Sequence, residues 1–378
     1  MITMINQERI TKEFMDLVKI DSVTQYEQQI SKVLKTKFTE LGLEVREDNT
    51  KEETGHGAGN LIVTWKAEGT NEAPKLFFTC HMDTVAPGEG IKPQISEDGF
   101  IRSDGTTILG ADDKAGISAL FEAIRVIQEN NIPHGQIQFV ITVGEESGLI
   151  GARAMKAEDI DAEFGFALDS NGEVGGICVA APARAQITMK ITGKSAHAGV
   201  NPEDGISAIQ VAAKAIAAMK LGRVDHETTA NIGSFSGAGP LNVVCDYAEI
   251  LAEARSIVQS KVENQVDHMR NALQATCEQY GAKAEFESDI AYPAFKLTDE
   301  DEVVKLAARA ITSAGLTPKT FPSGGGSDAN IFNGFGIPTV NLALGYEDIH
   351  TTNERIKVSS LVDAARVVVS IVKESAKS

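Results

Sequence analysis

The stretch KLFFTCHMDTV, residues 75–85, begins as an apolar run and ends in two side chains capable of chemistry. The run KLFFT is short and rich in phenylalanine, which is typical of a buried strand. His81 and Asp83 follow at once. Side chains two residues apart in an extended chain point to the same side. Both groups are therefore expected to face one place at the end of this strand.

Strand and helix signals alternate through the first half of the chain. GNLIVTW (59–65), GQIQFVITV (135–143) and AEFGFALD (162–169) are strand-like runs, and residues 113–130 carry apolar side chains at helical spacing. Strands separated by helices of this length predict an α/β fold with parallel strand pairs.

The pattern changes near Pro182. ARAQITMKITG (183–193) alternates polar and apolar residues, as a half-solvated strand does. The elements after it follow the order β-α-β-β-α-β of a compact ferredoxin-like unit, and the α/β pattern then resumes. We therefore predict a larger, discontinuous domain of residues 1–181 and 295–378, with a smaller domain of residues 182–294 inserted into it.

Composition narrows the class of protein. The chain has 378 residues and a formal net charge of −18, which argues against non-specific nucleic-acid binding because that requires a basic face. The sequence contains no apolar run long enough for a membrane span, and its amino terminus resembles an amphipathic helix and not a signal peptide. The four cysteines are far apart in sequence, so we expect neither a disulfide framework nor a cysteine zinc site, and we expect a cytoplasmic location.

Acids and histidines recur where a strand gives way to a loop. The carboxyl ends of strands in an open α/β sheet form the crevice where ligands bind, so such residues can converge from distant parts of the chain. The residues concerned are His81, Asp83, Asp112, Asp113, Glu145, Glu146, Asp169 and His350.

Carboxylates gathered in one crevice repel each other unless a cation is present. Two histidines with several carboxylates suit zinc, cobalt or manganese, and the carboxylates outnumber the needs of one four-coordinate ion. Two ions sharing a carboxylate are therefore plausible. Each motif alone has a plainer interpretation: HMD as a polar turn, ADDK as an acidic helix start, GEES as a solvated charge pair. If the sequence encodes no metal site, all of these plainer interpretations must be true at once.

A series of motifs resembles the co-catalytic dinuclear zinc exopeptidases, and most of all their peptidase T branch of tripeptide aminopeptidases. The motifs are, in this order, HMDTV, LGADDKAG, GEESG, ALDSNG, GKSAHAG and SGGGSDA, and the resemblance as a whole extends from about residue 8 to 372. The resemblance implies a phosphorylase/hydrolase-like catalytic domain, with a mixed central sheet flanked by helices. The inserted domain would be a lid and a dimerisation domain.

The same resemblance implies roles for the acids and histidines. One zinc ion would be held by His81 and Asp169, and the other by Glu146 and His350. Asp112 would bridge the two ions, because the bridging residue of the family lies two before the lysine, here Lys114. Glu145 would be the general base. Asp83 would orient the ring of His81, since metal-bound histidines usually have such a partner.

Substrate contacts are implied in the second half of the chain. His197 would stabilise the oxyanion, from the neighbouring subunit in dimeric relatives, and Asn242 would touch substrate. Arg255 would hold a substrate carboxylate, for which its planar fork is suited. The loop that contains Gly325 and Ser327 would bring backbone N–H groups near a carboxylate. Simpler interpretations remain open: a turn histidine, an exposed arginine at a strand end and a flexible loop.

The expected function is zinc-dependent removal of residues from short peptides, with a small peptide as the only required partner besides a possible second copy of the chain. Cys245 stands where many relatives have proline, and the chain is shorter than peptidase T. A related enzyme acting on N-acyl amino acids or on C-terminal glutamate therefore remains an alternative. A non-catalytic peptide-binding scaffold is another. A nucleotide-binding protein lacks support, because no suitable glycine-rich loop follows the first strand.

Overall fold

A computed structural model describes residues 5–70 and 72–377, which form two compact units. The larger unit comprises the described residues up to Ala180, together with Leu297–Ser323 and the described residues from Ser327 onward. The smaller unit comprises Ala181–Lys296 and Gly324–Gly326. The sequence places the insertion at residues 182–294, within the main segment of this smaller unit.

The α-helices begin and end as follows: α1 Gln7–Val18, α2 Gln28–Glu40, α3 Thr50–Thr54, α4 Ala111–Glu129, α5 Ile150–Ala154, α6 Ala208–Ala218, α7 Gln259–Tyr280, α8 Glu302–Ser313, α9 Asp328–Gly334 and α10 Val358–Ser375. Short 3-10 turns lie at Ala157–Asp159 and Pro202–Asp204.

The strands are β1 Glu44–Glu47, β2 Leu61–Trp65, β3 Leu76–His81, β4 Gln94–Ile95, β5 Phe100–Arg102, β6 Ile137–Thr142, β7 Phe164–Ser170, β8 Gly176–Ala181, β9 Ala183–Thr192, β10 Gly222–Arg223, β11 Thr228–Ser236, β12 Tyr247–Ser256, β13 Lys283–Tyr292, β14 Phe295–Lys296, β15 Lys319–Pro322, β16 Thr339–Ala343, β17 Tyr346–Glu347 and β18 Arg355–Lys357.

The central sheet of the larger unit follows the order β1-β2-β6-β3-β7-β16-β8, and β15 pairs with β8. Neighbours from β6 to β16 are parallel, whereas β1, β2 and β6 are joined by antiparallel pairs and β16 pairs antiparallel with β8. The prediction of an α/β fold with a mixed central sheet is confirmed.

Aromatic packing at the sheet centre fixes the register of the strands that carry the acids. Phe78 of β3 lies opposite Phe139 of β6 and Phe166 of β7. The ring centroids are 6.1 Å and 5.5 Å from that of Phe78, and Phe78 and Phe166 are fully buried. Burying each such ring contributes about 1.5–3 kcal/mol. A one-residue slip would turn these rings to the other face, so the ends of the three strands are held level.

Helices cover the sheet of the larger unit. Helices α1, α4, α8 and α10 pack against one another, and α4 also packs on β3 and β7. Nearly every residue of α4 is buried, in agreement with its apolar sequence. No helix in the described part of the chain is both long and apolar enough to cross a membrane.

A small antiparallel sheet in the same unit has the order β17-β18-β5-β4. Strands β17 and β18 form a hairpin in which Tyr346 pairs with Ile356 and Glu347 pairs with Arg355. His350 lies in the loop of this hairpin. It therefore does not directly follow a strand of the central sheet, whereas His81 ends β3 and Glu145 follows β6.

The smaller unit contains an antiparallel sheet of order β10-β11-β12-β9-β13, packed on α6 and α7. Along the chain its main elements run β9, α6, β11, β12, α7 and β13, which is the order β-α-β-β-α-β with the two-residue β10 added. The apolar residues of β9 are buried in a separate core: Ala183, Ala185, Ile187, Met189 and Ile191. The alternation seen in the sequence thus corresponds to one covered face of this sheet.

Candidate metal centre

His81 is the last residue of β3, and its imidazole is almost fully buried. Its Nε2 lies 3.0 Å from Oδ1 of Asp112 and 3.8 Å from Oδ1 of Asp169. Because β3 and β7 are parallel neighbours, the ends of these strands place His81 and Asp169 on the same edge of the sheet.

Asp112 and Asp113 begin α4 in non-helical conformations, and the peptide bond between them is cis. Their side chains contact different partners. Asp113 is buried and accepts hydrogen bonds from the backbone. Its Oδ2 accepts the N–H of His81 at 3.2 Å, and its Oδ1 accepts that of Gly116 at 3.1 Å. Asp112 instead reaches both His81 and His350.

Two groups of potential ligands share Asp112. One consists of His81, Asp112 and Asp169, and the other of Asp112, Glu146 and His350. His350 Nε2 lies 3.0 Å from Oε1 of Glu146 and 3.3 Å from Oδ2 of Asp112. Asp112 therefore presents Oδ1 to one group and Oδ2 to the other, as a bridging carboxylate would.

The donor set fits two divalent cations. Within each group one ligand atom per residue lies within 4.8 Å of the others. Imidazole nitrogen and carboxylate oxygen bind zinc at about 2.0–2.2 Å, so atoms spaced in this way can surround one ion. Residues of the larger unit alone supply both groups.

Glu145 and Glu146 lie on a sharp turn that follows β6. Gly144 has a φ of +59°, and a Cβ at this position would lie 2.4 Å from Nε2 of His56. Both the backbone conformation and the adjacent ring therefore require glycine here. The turn directs Glu146 to His350 and leaves Glu145 partly exposed beside it.

Asp83 connects this turn to β3. Its buried carboxylate accepts the backbone N–H of Glu145 at 3.1 Å and that of Glu146 at 3.2 Å. Nδ1 of His81 is 3.1 Å from the backbone oxygen of Asp83 and 3.4 Å from its Oδ1. Asp83 thus contacts the ring that it was expected to orient, and it also holds the turn that carries two further acids.

The electrostatics of the site favour a bound cation. Burial raises the pKa of Asp169 well above its usual value, and the nearby charge of Asp112 adds to this. Burial also raises the pKa of Glu145. Burial opposes ionisation of Asp112 as well, but hydrogen bonds with His350 and His81 outweigh it and lower the pKa of that carboxyl. A divalent ion would favour the charged form of each acid.

The model of Peptidase family M20/M25/M40 matches residues 77–374, which include every residue of the two ligand groups. The chain belongs to this peptidase family. Together with the two groups of potential metal ligands, this makes the M20 peptidase a metal-dependent peptide hydrolase.

Relatives match this M20 peptidase over nearly its whole length. The Bacillus subtilis (strain 168) protein YqjE is 55% identical over 99% of this chain and 100% of its own. A crystal structure of aminopeptidase PepT from Bacillus cereus ATCC 10987 is 58% identical with a TM-score of 0.93, covering 98% of this chain and 99% of the other. A tripeptidase from Staphylococcus aureus subsp. aureus Mu50 is 50% identical with a TM-score of 0.95, covering 99% and 100%.

Sequence reasoning missed two residues that hold Asp169 of the M20 peptidase. The buried hydroxyl of Tyr346 donates to Oδ1 of Asp169 at 3.2 Å. Asn341 Oδ1 accepts the backbone N–H of Asp169 at 2.9 Å, and its Nδ2 donates to the backbone oxygen of Asp169 at 2.7 Å. A polar residue inside the apolar run TVNLA was an available signal for Asn341, because buried polar groups require partners.

The expected substrate-binding residues of the M20 peptidase lie mostly in the smaller unit. His197 and Asn242 are exposed on adjoining segments, since His197 bridges to Val243 and the backbone oxygen of Asn242 accepts the N–H of Ala198 at 2.9 Å. Arg255 donates from Nε to Glu253 Oε1 at 2.8 Å and from an Nη to Oε2 at 3.1 Å. It therefore already has a carboxylate partner, which the sequence did not indicate.

The glycine-rich loop is divided between the two units. Gly325 belongs to the smaller unit and Ser327 to the larger. The hydroxyl of Ser327 is buried and accepts from Nδ2 of Asn341 at 3.0 Å, and Ser327 also forms a capping box with Asn330 at the start of α9. Ser327 therefore has a structural role, and its expected contact with substrate remains a prediction.

Proposed function

We propose that this chain is a zinc-dependent aminopeptidase that removes the first residue of short peptides, tripeptides in particular. The observation that carries the proposal is the pair of ligand groups joined through the two oxygens of Asp112, with Glu145 next to them. The direction of trimming and the peptide length are supported by the aminopeptidase and tripeptidase names of relatives that are 58% and 50% identical.

We assign His81 and Asp169 to one ion, Glu146 and His350 to the other, and Asp112 to both. Zinc ions bound there would polarise the scissile carbonyl and make water more acidic. Glu145 accepts the proton of the attacking water and returns it to the leaving amine nitrogen, as one group can serve as base and then acid. Asp83 keeps Glu145 in place through its backbone N–H.

The assignments of His197, Asn242, Arg255, Gly325 and Ser327 to substrate binding remain predictions from resemblance. The pairing of Arg255 with Glu253 adds a condition to the role assigned to Arg255. If Arg255 binds a substrate carboxylate, it does so with N–H groups that remain beside its contacts to Glu253. The expected cytoplasmic location is likewise a prediction.

A homodimer formed through the smaller unit is a further part of the proposal. Strand β11 pairs with β10 only at Thr229 and Ala230. Beyond that point β11 carries the exposed Phe235, and the segment after the strand carries the fully exposed Leu241. An open strand edge with apolar neighbours is a favourable surface for pairing with another copy. Molar mass by light scattering would test this, and a monomer at all concentrations would contradict it.

The function is tested with metal analysis and a substrate panel on the same preparation. The panel contains a tripeptide, the corresponding dipeptide, the tripeptide with a blocked amino terminus and an N-acyl amino acid. We expect two zinc ions per chain and hydrolysis of the free tripeptide, with the blocked one left intact. Preference for the acyl amino acid would favour the amidohydrolase alternative, and absence of all hydrolysis by the metal-loaded protein would favour the scaffold.

A further inference from the structure

Glu354 is a buried carboxylate bound to three backbone N–H groups around Asp112. Oε2 accepts the N–H of Leu109 and that of Gly110, both at 2.7 Å, and Oε1 accepts the N–H of Asp112 at 3.0 Å. Glu354 is 2% exposed. The two carboxyl oxygens together accept three backbone N–H groups, so this side chain fixes the path of the backbone into Asp112.

These three amides need a partner from elsewhere in the chain. The N–H of Asp112 lies in the first turn of α4, where N–H groups have no acceptor within the helix, and those of Leu109 and Gly110 lie just before it. The residue before the helix is Gly110, which has no side chain to serve as a cap. Glu354 fills this role from a position more than 240 residues further along the chain.

The backbone of Glu354 belongs to the hairpin loop that contains His350. The loop connects β17 to β18, and Glu354 is its last residue before Arg355. Asp348 and His350 within it have positive φ values of 55° and 61°. Residues other than glycine adopt this conformation uncommonly, although aspartate and histidine do so more often than most. Anchoring the end of the loop helps to hold such a conformation.

We propose that Glu354 is a positioning residue that sets the affinity of the metal site formed by Asp112, Glu146 and His350. It joins the backbone next to Asp112 to the loop of His350, and these two ligands lie 3.3 Å apart through Oδ2 and Nε2. The inference rests on the ligand set given under Proposed function. It adds a residue that touches neither metal nor substrate and acts through two that bind the metal.

The direct test is Glu354→Gln. A glutamine has one acceptor oxygen, so it cannot satisfy both the amide of Asp112 and those of Leu109 and Gly110, and its NH2 group would face a backbone donor. Loss of a group that orients metal ligands typically weakens metal binding about 10–100-fold. We expect a loss of this size in the affinity for the ion at the site of Asp112, Glu146 and His350, called the second ion below. Competition with a chromophoric chelator would measure it. We also expect a changed absorption spectrum of the cobalt-loaded protein.

Glu347→Gln is the matched control. Glu347 lies in the same hairpin and accepts from Nε of Arg355 at 2.8 Å, away from the backbone of Asp112. This control should bind both ions like the parent. If Glu354→Gln also binds both ions with the parent affinity, the inference is wrong.

Thermal unfolding separates positioning from plain structural support. A bound ion stabilises the folded state by an amount that depends on its dissociation constant. If Glu354→Gln lowers the melting temperatures of the metal-free and metal-loaded forms equally, Glu354 is only a structural cap and the proposal fails. We expect the rise in melting temperature on adding metal to be smaller than in the parent.

Two further variants complete the design. If Glu354→Gln does not fold, Glu354→Asp keeps the charge on a shorter side chain, and parent-like affinity for the second ion in that variant would overturn the inference. His350→Ala tests the ligand set itself and should remove the second ion. If it does not, the proposed ligands are wrong, which is a different failure from that of Glu354.

Discussion

Oδ1 of Asp83 accepts the backbone N–H of Glu145 at 3.1 Å, which ties the end of β3 to the turn after β6. The same carboxylate reaches the N–H of Glu146 through Oδ2. Asp83 therefore contacts a proposed metal ligand on each side: the ring of His81 at the end of β3, and the turn of Glu146 after β6. It also fixes the expected general base between them.

Asp83→Asn should weaken both stability and metal binding. The amide would place an NH2 group against one of the two backbone donors, and a buried donor without an acceptor costs about 1–3 kcal/mol. We expect the free energy of unfolding to fall by this amount in urea titrations and metal affinity to fall about 10–100-fold.

Asp98→Asn is the control for Asp83→Asn, since Asp98 pairs with Arg102 on the surface, away from the site. A parent-like affinity in Asp83→Asn would show that the two backbone bonds do not position the ligands.

Glu145→Gln should slow catalysis strongly while metal remains bound. Glutamine keeps the size of the side chain but cannot accept and return a proton, and general acid–base catalysis contributes typically about 10²–10⁴-fold. We expect kcat for a tripeptide to fall within this range, with two ions still present by metal analysis.

Glu158→Gln, on an exposed 3-10 turn, should behave like the parent and controls for loss of one negative charge. Simultaneous loss of an ion in Glu145→Gln would indicate that Glu145 is a ligand and not the base.

Removal of metal should make the stability contribution of His350 depend on pH. In the metal-free protein its hydrogen bonds to Asp112 and then to Glu146 raise its pKa from 6.5 to about 10. A histidine with a raised pKa stabilises the folded state fully below pH 6.5, and this contribution is lost as the pH rises through 10. The difference in melting temperature between metal-free parent and metal-free His350→Gln should therefore shrink from pH 6 to pH 10.

With saturating metal the stability contribution of His350 should instead increase with pH. A ligand imidazole is neutral, so deprotonation favours metal binding. A difference in the metal-free proteins that stays constant, or grows with pH, would contradict the contacts between His350 and the two acids.

Tyr346→Phe should weaken metal binding without unfolding the protein. The substitution removes only the hydroxyl that donates to Oδ1 of Asp169, leaving the ring buried. A hydrogen bond to a charged group is worth about 1.5–3 kcal/mol, and part of this loss should appear as lower affinity for the ion bound by His81 and Asp169.

Tyr247→Phe removes a comparable contact to Glu249 on an exposed strand and should leave metal binding unchanged. Equal affinities in Tyr346→Phe and Tyr247→Phe would mean that Asp169 does not need its tyrosine partner.

Much of the fold could be predicted because it follows from local patterns. The apolar run that contains Phe78 predicts a buried strand, and the polar and apolar alternation from Ala183 to Thr192 predicts a half-covered one. The hairpin of His350 could not be predicted in this way. Its strands of two and three residues are too short to carry a period, and its loop contains two residues other than glycine with positive φ.

The sequence by itself determined that His81 and Asp83 face one direction, and that acids follow several buried strands, because strand periodicity and strand order are local properties. Only the tertiary structure decided that Asp112 divides its two oxygens between two ligand groups, that Asp83 holds the turn of Glu145, and that Glu354 holds the start of α4. These contacts join residues separated by dozens to hundreds of positions. They exist because parallel strands held level by aromatic packing bring their ends to one edge, and no local pattern encodes that distance.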